Sequence, residues 1–200
     1  TGTFNTLVGG NAGAAITEGD GNTIMGLNAG DAITTGDSNV AIGRQAAQRL
    51  TTLSGIVAIG YEALYYNAND GLGNTAIGYR ALRNNDRADN NTAVGYYALN
   101  GVGNGSQGAG QENTAIGYRA GDVNSTSHYN VFVGAHAGGT VTTGGALVMV
   151  GHGADPSGNT TSGEIVLGYN ATGIGSNYAV IGSGDITRVY MSSDGDAVMY

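Results

Sequence analysis

One glycine recurs along this chain at a spacing that leaves few folds open. Always preceded by an aliphatic residue, it stands at Gly9, Gly26, Gly43, Gly60, Gly78, Gly95, Gly117, Gly134, Gly151 and Gly168. The steps between them are 17, 17, 17, 18, 17, 22, 17, 17 and 17 residues. Other positions keep the same beat. Three residues after each glycine comes alanine, from Ala12 to Ala171. One residue before it stands a large aliphatic, from Val8 to Leu167, and three before it a β-branched residue, from Thr6 to Ile165. Seven of the ten units carry Asn four residues before the glycine. A short period of this kind, in a chain of 200 residues, is the mark of identical small units stacked into one array.

The units read as strand and turn. Each holds only three or four consecutive β-branched or aliphatic residues, then Gly, and then clusters such as "EGDGN" or "TGDSN". Helices need longer runs and tolerate so much glycine poorly, whereas short β-branched runs bounded by turn residues read as strands. A coil of 17 residues has room for two strands of about five residues and two tight turns. The residue two before the glycine is also apolar throughout, from Leu7 through Ala58 and Phe132 to Val166. Strands apolar on both faces are usually covered on both faces. One coil buries only the inner face, so the outer one calls for a second copy of the chain. Seven residues after the glycine the pattern weakens, with Ile16, Ile33 and Leu50 in some coils but Asn67, Asn85 and Asn124 in others. That predicts a flattened roll with one strongly buried strand per coil and a solvent-facing second one. A single-chain hexapeptide β-helix fits less well, because Val8 is followed at steps of six by Ala14 and Asp20.

Composition removes several classes. With 38 Gly the chain could be disordered, but 40% of it is hydrophobic and placed periodically, so an ordered array is expected. All seven basic residues are Arg, against 15 acids, for a net charge of −8. Such a balance argues against nucleic acid and against anionic lipid. The longest apolar runs are about five residues, far short of a membrane span, and no membrane insertion is expected. There is no cysteine for thiolate chemistry and no lysine for a phosphate loop or Schiff base. The chain opens in mid-pattern at "TGTFNTLVGG", which suggests a piece of something longer.

The phrases "NVAIGRQAA" from Asn39, "NTAIGYRAL" from Asn74 and "NTAIGYRAG" from Asn113 resemble the head repeats of trimeric autotransporter adhesins. They are more similar still to tyrosine-rich repeats of bacteriophage tail fibres. The resemblance runs over residues 1–175 and implies an all-β solenoid, a left-handed parallel β-roll, with three chains intertwined as a homotrimer. The period is longer than is usual in adhesin heads. The closing stretch "ITRVYMSSDGDAVMY" leaves the register, and residues 176–200 resemble the tail-fibre segment that leads into a C-terminal chaperone domain. On this resemblance the expected role is attachment of a virion tail to a host cell-surface glycan or outer-membrane protein. The alternative is the head of an adhesin on the bacterial cell surface. A glycan-degrading tailspike is a further reading from a different class.

Candidate binding residues follow from the repeat and from its one large irregularity. Tyr61, Tyr79, Tyr96, Tyr118 and Tyr169 all stand directly after their glycines, with Arg80, Tyr97 and Arg119 beside three of them. Coils stacked at about 4.8 Å would turn these into ladders, able either to stack on sugars or to fill the groove between chains. The long step from Gly95 to Gly117 places five extra residues within "NGVGNGSQGAGQEN". Insertions in repeat proteins form loops on one face, often the binding face, which singles out Asn104, Ser106, Gln107 and Gln111. His136 and His152 fall in adjacent coils, where a trimer could gather them into rings for a metal or an anion, though surface histidines are the commoner case. The acids are scattered through corners (Asp20, Asp37, Asp89) where turn hydrogen bonding explains them. No paired carboxylates recur for glycoside hydrolysis, so no enzyme, cofactor or resident metal is expected. Ice binding would want outward threonines, and Thr is expected mainly on the inner side of the strand.

Overall fold

The computed structural model describes residues 2–66, 72–85, 88–101, 110–123, 126–183 and 186. Among the described residues, eleven strands of three residues each form one parallel sheet in strict sequence order. They are β1 (Thr6–Val8), β2 (Thr23–Met25), β3 (Val40–Ile42), β4 (Val57–Ile59), β5 (Thr75–Ile77), β6 (Thr92–Val94), β7 (Thr114–Ile116), β8 (Val131–Val133), β9 (Val148–Val150), β10 (Ile165–Leu167) and β11 (Ala179–Ile181). Equivalent residues pair coil to coil, as in Val40↔Val57 and Ala41↔Ala58. The molecule is therefore a parallel β-solenoid with coils of about 17 residues, as the period implies. β11 follows β10 after a shorter step of 14 residues, pairing Ile165 with Ala179. Residues 187–200 lie outside the described residues.

Within each strand the pleat sends the middle residue inward and its two neighbours outward. Ile24, Ala41, Ala58, Ala76, Ala93, Ala115, Phe132, Met149 and Val166 are all buried. The flanking β-branched and aliphatic residues are at least partly exposed in every described strand. The threonines before Ala76, Ala93 and Ala115 thus point out, not in, which corrects the expected placement. The expected second strand is absent too: among the described residues the rest of each coil adds only the isolated bridges Tyr66↔Asn84 and Asp155↔Thr172.

Left-handed residues explain why. The repeat glycine has φ between 123° and 142° in its ten coils, and a Cβ on Gly26 would stand 2.5 Å from the carbonyl oxygen of Gly43. The next three residues close a tight turn, with the alanine N–H donating back to the glycine carbonyl at 3.2–3.4 Å. Its third residue has φ near +55° in each of the ten coils, from Asn11 and Asn28 to Arg80, Tyr97 and Arg119, the demand of a type II turn. The alanine after it is buried in every coil. The following residue is left-handed again in most coils, as at Gly13, Leu64, Leu82 and Leu99. Such alternation sends backbone groups to the coil above and the coil below in turn: Arg80 N donates to Tyr61 O, and Leu82 N to Ala98 O, both at 2.9 Å. Hydrogen bonding between coils thus continues past the strand without extended backbone.

The conserved beat of asparagine forms a second ladder. The Oδ1 of Asn74 accepts from the N–H of Asn91 at 2.9 Å, Asn91 from Asn113 at 2.9 Å, Asn113 from Asn130 at 3.0 Å and Asn130 from Leu147 at 2.9 Å. The Nδ2 groups of Asn74 and Asn113 meanwhile reach corner carbonyls, at Ala88 (2.7 Å) and Ser127 (2.9 Å), and that of Asn130 donates to the Ser127 hydroxyl at 2.8 Å. Asn22, Asn39, Asn74, Asn91, Asn113 and Asn130 are fully buried. Each satisfies buried backbone groups that would otherwise cost about 1–3 kcal/mol apiece. In the coil of β10 the position passes to Glu164, whose buried carboxylate accepts from Ser157 N and Gly175 N, each at 3.0 Å.

The ladder also explains how the 22-residue step is absorbed. Asn91 Nδ2 reaches the carbonyl of Gly110, 19 residues on at 3.0 Å, where the usual separation is 14. The five extra residues thus leave the strand register Thr92↔Thr114 intact. Residues 102–109 lie outside the described residues, and Asn104, Ser106 and Gln107 with them.

Core volume is traded across the coil. In three of the five coils whose inward strand residue is Ala, the second left-handed residue is Leu: Ala58 with Leu64, Ala76 with Leu82 and Ala93 with Leu99; Ala41 and Ala115 stand instead with Ala47 and Gly121. Around the large strand residues Ile24 and Phe132 that position is Gly: Ile24 meets Gly13 and Gly30, and Phe132 meets Gly121 and Gly138, whereas the coils of Met149 and Val166 carry Asp155 and Thr172 there. A Cβ on Gly138 would overlap the Phe132 ring. Gly138→Leu is therefore expected to destabilise the fold by about 3 kcal/mol or more. Adding Phe132→Ala should recover at least half of that loss. Equal, additive losses from the two changes in a denaturation double-mutant cycle would refute the exchange.

Candidate functional site

The tyrosines expected to form a ladder do so. Tyr61, Tyr79, Tyr96 and Tyr118 stack with ring centroids 5.1, 4.9 and 5.5 Å apart and planes within 17° of parallel. The column runs on through His136, edge-on to Tyr118 at 5.2 Å, then His152 at 6.1 Å, and ends in Tyr169 stacked on His152 at 5.3 Å. Tyr79, Tyr96, Tyr118 and Tyr169 are exposed on this chain. The stacking has a chemical consequence: the ring faces are occupied by one another. What the inner rungs present outward is edges and phenol oxygens, an arrangement that agrees better with the cohesive alternative than with stacking on sugars.

Arginines brace the column. Arg80 lies over Tyr79 at 5.2 Å and over Tyr61 and Tyr97 at 5.7 and 5.8 Å, within cation–π range. Arg44 sits 5.7 Å from the Tyr61 ring, and Arg119 lies 5.7 and 5.8 Å from Tyr97 and Tyr118. Arg80 Nε donates to Glu62 Oε2 at 2.9 Å and its Nη1 to the Tyr97 hydroxyl at 2.7 Å. Arg83 Nε donates to the same carboxylate oxygen at 2.6 Å while its guanidinium covers Tyr65 and Tyr66 at 5.2 and 5.4 Å. Arg49 lies 5.0 Å from Tyr66. Arg83, Tyr65 and Arg49 belong to this cluster but stand outside the repeated tyrosine phrase, and Glu62 fills in its coil the place that Arg80 fills in the next; the beat alone singled out none of the four. Of the ten sequence-derived candidates, Tyr79, Arg80, Tyr96, Tyr97, Tyr118 and Arg119 thus come together. Gln111 stands elsewhere in the coil, its N–H donating to His128 Nδ1 at 3.1 Å.

Electrostatics hold the cluster's centre. Burial pushes the Glu62 carboxyl up, but hydrogen bonds from Arg83 and Tyr61 and the charges of Arg83 and Arg80 outweigh it and leave it below its ordinary value of 4.5. The Tyr97 hydrogen bond and Glu62 raise the Arg80 guanidinium further above its already high value, against the opposing pull of burial. Asp122, 3.6 Å from Arg119, is pushed up by burial, as is Asp155. His136 and His152 adjoin, yet no group of three metal-binding side chains occurs among the described residues. No helix among them is long and apolar enough to cross a membrane. Comparison of the chain with protein-family models, curated proteins and solved structures finds no match.

Two expectations follow. Arg119 sits at φ 54°, where a non-Gly residue costs about 1–2 kcal/mol and Asn is better tolerated. Arg119→Asn should raise stability by about 1 kcal/mol in chemical denaturation, because its pairing with Asp122 is exposed and weak. Glu62 has a folded pKa below 4.5, so its contribution is complete above that value and fades as pH falls through the folded one. Glu62→Gln should flatten the acid limb of the stability curve below about pH 4.5. An acid limb of unchanged slope would show that the carboxylate does not hold the arginines.

Proposed function

We propose that the chain is a segment of a bacteriophage tail fibre, a stiff attachment rod of three identical copies in a left-handed intertwined roll. One observation carries the reading: the outward face of the strand column is apolar and bare. Val8, Met25, Ile77, Ile116, Val150 and Ile181 are each more than a third exposed. Beside them runs a parallel column of Thr, Val and Ile from Thr6 to Ile165. Large contiguous apolar surfaces mark association sites, and a parallel sheet is normally covered on both faces. A second and third copy offer the same columns at the same rise, so the face is matched best by itself.

A rod of eleven strands, rising about 4.8 Å per coil, spans on the order of 50 Å. Three copies of any weak site on it gain avidity without a tight individual contact. The phrase "NTAIGYRAL" and its relatives, so similar to tail-fibre repeats, supply the phage assignment, with the virion tail as location. The partner is a host cell-surface glycan or outer-membrane protein. The same bare face would serve the head of a trimeric adhesin on a bacterial surface. A hydrolytic role is less well supported, since the buried carboxylates Glu62 and Glu164 are spent on arginines and on backbone donors.

Light scattering on the purified chain is expected to give three times the 19.9 kDa of one copy. Ile77→Asp with Ile116→Asp should break that assembly by placing charges on the shared face. A monodisperse, folded wild-type monomer would end the proposal.

A further inference from the structure

The arginine-bearing flank of the tyrosine ladder has not been accounted for by the fold. Five of the seven arginines (Arg44, Arg49, Arg80, Arg83 and Arg119) join one continuous cluster across neighbouring coils, against the two carboxylates Glu62 and Asp122. In a chain of net charge −8 this is a concentrated patch of the opposite sign. It is also held rigid: Arg80 and Arg83 share one carboxylate oxygen, and Arg80 is fixed again by Tyr97. Arg44 and Arg119 are exposed at the ends of the braced segment.

Strain points the same way. Arg80, Tyr97 and Arg119 occupy left-handed turn positions at φ 55°, 57° and 54°, where the first two coils use Asn11 and Asn28. Asn suits that conformation and bulky residues do not. Strained placements persist where something else requires the side chain. Gln45 and His136 bear the same conformation, so the strain supports the inference beside the charge and does not stand alone.

We infer that this strip binds an extended acidic polysaccharide, one bearing a carboxylate on its sugar rings, laid lengthwise along the tyrosine ladder. The inference names the ligand of the attachment surface and rests on that reading of the rod. Since the inner tyrosine faces are spent on each other, recognition runs through phenol edges, phenol oxygens and guanidinium donors rather than through stacking on sugar rings. Guanidinium groups pair carboxylates in a planar, two-point geometry. The rungs recur every 4.9–5.5 Å, comparable to the advance of one sugar unit in an extended chain, so successive hydroxyls and carboxylates can meet successive rungs. The acidic remainder of the protein repels compact polyanions, which favours a thin, regularly charged polymer over nucleic acid.

The test uses the whole chain on immobilised polygalacturonate, with neutral dextran and inorganic polyphosphate as controls, and light scattering on every sample. Binding to polygalacturonate is expected to weaken as salt rises and to be absent on dextran. Arg44→Gln with Arg119→Asn should lower it at least tenfold while the assembly and its stability persist. Arg49→Gln, at the margin of the cluster, should lower it only slightly. Equal binding to dextran or to polyphosphate, indifference to the double variant, or no binding by intact trimers would each overturn the inference and leave the fibre reading standing. A monomeric wild-type chain that still binds polygalacturonate through these arginines would sink the fibre reading alone.

Discussion

Everything in this molecule hangs on the close, fixed approach of one coil to the next. The stacked repeat glycines allow it and the buried asparagines hold it. Without a Cβ, the backbone of Gly26 can lie against the carbonyl of Gly43. Asparagine then does what neither Ser nor an aliphatic residue could, because it carries an acceptor and a donor on one short side chain. Its oxygen takes the N–H of the following coil while its nitrogen takes a corner carbonyl. The corner is thereby tied to the strand, and the height of one coil is set by the geometry of an amide. Variation elsewhere is tolerated because this tie persists: five residues are added before Gly110, and Asn91 still finds its carbonyl.

A coil so thin leaves little room for a core, which shapes the rest of the sequence. Ala63, Ala81 and Ala98 are wholly enclosed, and the space that remains is filled once per level, either by the strand or by the turn. Leu82 is buried in a coil whose strand offers only Ala76, whereas Phe132 fills the space that Gly121 and Gly138 leave. Packing of this kind accepts volume from either side, provided that the total is kept. It also means that one chain buries only a third of each strand. The aliphatic and β-branched columns outside are left half-covered or exposed on a single chain, and it is this surface that the proposed association would cover.

The period and the parallel stacking were legible from spacing alone, because an invariant beat can only mean equivalent environments; which strand residue turns inward was not, since Ala76, Ala93 and Ala115 take the side expected of the threonines before them. Nor was the single strand per coil. Residues such as Leu82, Leu99 and Tyr97 are ordinary in extended backbone, and nothing in their identity announces φ near +50°. Only at Asn11, Asn28, Gly153 and Asn170 does this turn position use residues that declare it. The reason for asparagine was equally hidden, since its partners lie 17 and 14 residues away on different coils. At the candidate site, the tyrosine ladder could be read from its beat. Glu62 could not, because Arg80 and Arg83 reach it from the next coil and no repeated phrase contains all three.

That cluster also separates two roles that the ladder's sequence leaves fused. A row of tyrosines in register can serve cohesion or recognition, and rings stacked face to face have already committed their largest apolar surfaces to cohesion. Any recognition would then fall to groups the stack cannot use: the phenol oxygens at the edge and the guanidinium groups laid over the rings. The distribution of charge agrees, since the first two coils carry no arginine and place Gly10 and Leu27 where later coils place Arg44 and Tyr61. The coil geometry is the same in both places, so the fold has no need of the arginines. The gathering of five of the seven in one stretch of an acidic chain is a property of the surface, and it is there that a specific ligand would have to be read.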